Sequence, residues 1–335
     1  MVRRAMFTLI VGVLLLALAP ASAYARDDDG RPEAAITALE VREIAPPRWV
    51  TGTDDQVHIE YDLAITNTFT SDVTLRSLEV LDERGATLLR LEGDALAAVT
   101  TRFLDYATPT VVVPPSVAVQ TVVDVALPAD ARVPGRLSHR LDYDFPPDAL
   151  FHQIIGSRQV DGPVLRVERR QPIVISPPLR GSGWVAVNAC CQPSSHRSFV
   201  LAANGGFVTP EVFAIDWIQV RDGRLAEGDG STNEQWFGHG EPIFAAASGE
   251  VVEVVNDKPE VPPGISLDDN PTIQTTVDFG GNHALIRIRR GVYALYAHMI
   301  PGSIQVQVGD RVETGSSSAC WATPATPRHR TCTLD

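Results

Sequence analysis

The chain has 335 residues, 44% of them hydrophobic, and a formal net charge of −13. That length suits two domains of ordinary size, each with its own core. The acidic balance argues against nucleic acid as a partner, because neutralising phosphates needs clustered Lys and Arg.

Residues 1–25 read as a signal peptide. Arg3 and Arg4 precede the apolar run MFTLIVGVLLLALA, and Pro20 and the small-residue site ASA follow it. The run is short for a bilayer span and no lipobox cysteine follows. The expectation is cleavage, a mature chain without a stable membrane span, and export to the periplasm or the cell exterior.

Residues 33–176 alternate in the strand period. QVHIEYDLAITNT, VTLRSLEVLD, TPTVVVPPSVAVQTVVDVAL and LSHRLDYDF are β-branched or aromatic runs punctuated by Asp, Gly and Pro. They predict an immunoglobulin-like antiparallel β-sandwich acting as an accessory domain. His58, His139 and His152 read as isolated from one another and from acid clusters, and so as surface or satisfied histidines.

A linker at 177–183, within ISPPLRGSG, separates this pattern from a second one at 184–315. RSFVLAAN, FAIDWIQV, PIFAAASGEVVEVVN, NHALIRIR, VYALYAHM and SIQVQVGDRVE predict further strands without long helices, making the whole chain all-β. DKPEVPPGISLDDNPT reads as a surface loop beside a cleft.

Asp216 sits inside the apolar strand FAIDWI, where an ionised carboxylate is expensive to bury without a cation or several donors. His196, in SSHRSF, can come alongside it if RSFVLAAN pairs antiparallel with FAIDWIQV. His298 ends the strand of LYAHM. A His, an Asp and a further His on separate strands suit a zinc site better than a serine triad, for which no framed serine appears. Spacing alone leaves three unconnected residues as an open alternative.

The stretch from His196 to Gly315 resembles lysostaphin-type (LytM-type) zinc metallopeptidases that cut peptidoglycan peptides. AIDW, GEPIFAAASGEVVEV, GGNHALIRI, YALYAHM and VGDRVETG carry the likeness, in the family's order. It implies an antiparallel β-sheet peptidase domain, Zn2+ held by His196 and Asp216, and His298 at the Tyr-x-His position as a catalytic residue. The spacing from His196 to Asp216 is longer than the common one. It also implies peptidoglycan peptides as substrate. His239 and His283 read as incidental.

The family pattern continues past GDRVETG into a His-x-His strand that this chain lacks. Instead, residues 316–335 read SSSACWATPATPRHRTCTLD, with no alternation. Stepping back one nucleotide changes that. Cys320–Trp321 must then encode Leu, Trp321–Ala322 must encode Gly, and the junctions together can read LLGNSGNTTAPHLHF. The expectation is a reading-frame shift after Gly315 and a tail that cannot complete a sheet edge. It removes one zinc ligand and one catalytic histidine, for which His329 is the only nearby substitute. Cys320 and Cys332 would then be accidents of frame, and the adjacent Cys190 and Cys191 the native pair, either as free buried thiols or paired between molecules. A non-catalytic cell-wall binding or regulatory module with a degenerate groove is the competing reading.

Overall fold

The computed structural model describes residues 35–52, 54–189, 191–266, 269–316 and 320–322. The expected signal peptide, Cys190 and His329 lie outside them. None of the described helices is long and apolar enough to cross a membrane.

The structure is nearly all β. In the N-terminal half, one antiparallel sheet has the order Leu39–Thr51, Gln56–Asn67, Ala118–Pro128, Thr100–Arg102. A second runs Leu165–Arg166, Arg136–Asp144, Val73–Leu81, Thr87–Glu92, with short additions at Val112–Val113 and Gln159–Asp161. Ile59, Leu63 and Val123 from the first sheet share one buried cluster with Leu78, Leu141 and Tyr143 from the second.

Period-two patterning explains this directly. Along Arg136–Asp144, Leu137, His139, Leu141 and Tyr143 are buried while Arg136, Arg140 and Asp144 are exposed. The Gln56–Asn67 strand departs from it, because nearly all of it is buried. Val57, Ile59, Tyr61, Leu63 and Ile65 face the sandwich core. The opposite face, with Glu60, Asp62 and Ala64, is covered by the C-terminal half, through Arg197 and Val200.

The C-terminal half is built from shorter pieces. Its main sheet has the order Val292–Tyr296, His283–Arg289, Gly249–Val255, Arg311–Val312. Ile243, Val251, Ile286, Tyr296 and Met299 pack on it. Gly249 permits the close approach of the middle strands, since a Cβ there would stand 2.6 Å from the Arg287 carbonyl oxygen.

Three expectations change. RSFVLAAN does not pair with FAIDWIQV: Leu201–Ala203 folds back on Gly206–Val208, and Asp216–Gln219 pairs with Trp184–Val187. The tight Asn204–Gly205 turn, with both residues at positive φ, closes that hairpin and keeps it local. SIQVQVGDRVE yields only the Arg311–Val312 strand, although Ile304 and Val306 are buried. The tail also completes a sheet edge after all, over three residues, as Cys320–Ala322 pairs with Glu241–Ile243. Edge pairing uses backbone groups, which any sequence but proline supplies.

Candidate metal centre

Asp216 opens its strand with its carboxylate buried at 3% exposure. His196 reaches it from a tight turn. The Ser198 N–H bonds the Ser194 carbonyl at 2.9 Å, and the Arg197 N–H bonds Ser194 Oγ at 3.1 Å. His196 Nε2 stands 3.1 Å from Asp216 Oδ1, and Glu211 Oε2 lies 4.0 Å from the same nitrogen.

That separation is an ion-pair distance, yet Oδ1 is sealed from solvent and lacks an aligned hydrogen-bond donor. The other atoms of the pair are tethered. Asn188 Nδ2 donates to Asp216 Oδ2 at 2.6 Å, and His196 Nδ1 meets the Ala214 carbonyl at 3.4 Å. The Ala214 carbonyl can hold a proton on Nδ1, which would leave Nε2 as the donor to an ion bound between it and Oδ1, the arrangement usual for metal-binding histidines. Two ligands about 2 Å from one tetrahedral ion stand about 3.3 Å apart. The pair therefore fits zinc in chemistry and spacing, and supplies two donors. Burial pushes the His196 pKa down, but the facing Asp216 carboxylate and Glu211 outweigh it and the net shift is upward.

His298 lies two residues past the Val292–Tyr296 strand, with a left-handed φ of 59°. Its N–H donates to the Gly280 carbonyl at 2.9 Å, and the next N–H donates to the Asn282 carbonyl at 2.9 Å. It lines a cleft with Phe279, Asn282, Lys258 and Glu260, so the proline-rich loop does border a cleft. Phe279 stacks on Phe199, three residues beyond His196, at 5.7 Å between ring centres. His298 does not join His196 and Asp216 in a compact three-ligand group; among the described residues, the group of that kind lies elsewhere.

That group is His58, Glu60 and Asp124, and it corrects the reading of His58 as isolated. His58 Nδ1 meets Asp124 Oδ1 at 2.8 Å and Nε2 meets Asp54 Oδ2 at 3.0 Å. Strand register creates the cluster, with Glu60 directly opposite Asp124. The signal available in the sequence was Asp124 inside the apolar run VVDVAL, the same kind of signal that singled out Asp216. His139 is satisfied by the Tyr61 hydroxyl and the Pro163 carbonyl, both at 2.7 Å. His283 and His239 face Glu253 and Glu260 at 3.3 and 3.2 Å. Cys191 is held in a disulfide, which removes the free-thiol reading for it.

No protein-family model matches the chain, and no curated protein does. Weak likeness to solved structures includes the following two. One is a zinc-containing peptidase from Vibrio cholerae, at 14% identity and a TM-score of 0.23, over 88% of this chain and 80% of that one. The other is a Northeast Structural Genomics Consortium target, at 14% identity and a TM-score of 0.23, over 38% of this chain and 83% of that one.

Proposed function

We propose that the chain derives from an exported zinc metalloendopeptidase that hydrolyses peptide bonds of peptidoglycan, with His196 and Asp216 as metal ligands. The observation that carries this reading is the buried His196–Asp216 pair, whose facing atoms stand 3.1 Å apart, at ligand spacing, in a place sealed from solvent. The substrate class rests on the resemblance of the ordered motif blocks from His196 to Gly315 to the lysostaphin-type family.

Each side chain has a role. The Ala214 carbonyl orients His196, and Asn188 holds Asp216 by its outer oxygen. His298, whose backbone is held by the Gly280 carbonyl beside the cleft, is assigned by the resemblance the part of bonding the scissile carbonyl as charge develops on its oxygen. Zinc, when bound, supplies Lewis acidity to the carbonyl and acidifies a water. Catalytic zinc sites normally take three protein ligands. The pair provides two, so the 335-residue chain binds zinc weakly there and cleaves poorly. A shifted frame after Gly315 restores His-x-His and the third ligand.

The competing reading, a cell-wall binding module with a degenerate groove, draws on that same shortfall of ligands. Zinc analysis and a muralytic assay on the chain as written and on a frame-restored version separate the two. The peptidase reading predicts hydrolysis by the restored chain only, abolished by His196→Ala. Full hydrolysis by the 335-residue chain contradicts the two-ligand account, and no hydrolysis by the restored chain contradicts the peptidase reading.

A further inference from the structure

The outer face of the Gln56–Asn67 strand concentrates acids. Glu60 and Asp62 are 2% and 0% exposed, and Asp124 and Asp54 flank His58 beside them. The Arg197 guanidinium is the cation that reaches in, at 2.8 Å from Glu60 Oε2 and 2.9 Å from Asp62 Oδ1. It uses up both Asp62 and one oxygen of Glu60. The other oxygen, Glu60 Oε1, is sealed from solvent and has no hydrogen-bond partner. Arg197 thus satisfies three of the four carboxylate oxygens of Glu60 and Asp62 and leaves Glu60 Oε1 buried and unpaired.

We infer that His58, Glu60 and Asp124 form a second divalent-cation site, in the sandwich half, with Asp54 as an adjoining carboxylate. One ligand atom from each of the three lies within 4.8 Å of the others. Donors about 2 Å from a shared ion are at most about 4 Å apart, so side-chain movement on the order of 1 Å closes the set. Glu60 and Asp124 stand on paired positions of adjoining strands, and His58 lies two residues along the same face, so the backbone fixes the geometry. Gly52 closes the cluster on the turn side, where a Cβ would collide with Asp54 and press on the His58 ring. An imidazole with carboxylates selects a transition ion such as Zn2+ over Ca2+ or Mg2+. The ion replaces the proton that now bridges His58 Nδ1 and Asp124.

This site is independent of the peptidase reading, and the test keeps the two apart. Full-length protein is stripped with chelator and titrated with Zn2+ and with Co2+, the latter followed by its visible d–d absorption. In a His196→Ala, Asp216→Asn background, about one equivalent should still bind, and adding Asp124→Asn should weaken it about 100-fold. Circular dichroism confirms the fold; should Asp124→Asn not fold, His58→Gln carries the same expectation. The inference is overturned if the His196→Ala, Asp216→Asn protein binds no metal, or if binding is indifferent to both Asp124→Asn and His58→Gln.

Discussion

The two halves solve the same packing problem differently. In the sandwich, strands of 13, 12 and 11 residues share one continuous core. In the C-terminal half, the longest strands have seven residues and the chain relies on turns, side-chain caps and a smaller core. The groups proposed for catalysis stand in the second half, on a turn, a strand end and a left-handed residue. Arg197, next to His196, is driven into the acidic face of the longer-stranded half. The sandwich thus acts as the rigid mount for a site built on loops.

Arg197→Met should have the largest effect on this mounting. It leaves Glu60 and Asp62 buried without their cation, and the expected loss is about 3–5 kcal/mol in urea denaturation. A loss below about 1 kcal/mol means that the halves are mounted otherwise. A second substitution probes the smaller core. The Ala246 N–H donates to the Tyr296 hydroxyl at 2.7 Å in a buried position. Tyr296→Phe strands that donor and should cost about 1–3 kcal/mol, whereas an unchanged melting point would show that the C-terminal core tolerates an unpaired amide.

The sandwich offers a pH handle of its own. Burial pushes the pKa of His139 below its ordinary 6.5, with the Pro163 carbonyl opposing weakly. The unfolded chain then binds the proton more readily than the folded one. Stability should be fully present above about pH 6.5 and fall as pH drops towards the folded value. His139→Gln should flatten that part of a melting-temperature profile; an unaltered slope rules His139 out as its source. The smallest effect is expected at His298. A left-handed non-glycine residue carries about 1 kcal/mol of strain. His298→Gly should therefore leave stability unchanged or slightly raised by calorimetry while removing the hydrolysis expected of the frame-restored chain. A clear loss of stability would show that the side chain is structural.

Much of the sandwich was legible because alternation records which face of a strand is buried, as Arg136–Asp144 does. The Leu39–Thr51 strand was not, since its two prolines and register shifts blur the period. Asp216 announced itself as a carboxylate in an apolar strand, but the route that brings His196 to it did not, because a local hairpin took the partner expected for that strand. The His58 cluster was hidden for a related reason. Glu60 and Asp124 meet only through cross-strand register, which no spacing along the chain reveals.

Zinc affinity at the His196–Asp216 pair, isolated from the sandwich by an Asp124→Asn background, decides whether that pair is a metal site. Chelator-stripped protein should take up zinc weakly but saturably, and Asp216→Asn should weaken that uptake about 100-fold. Uptake that is unchanged by Asp216→Asn, in a chain that remains folded, would contradict the account.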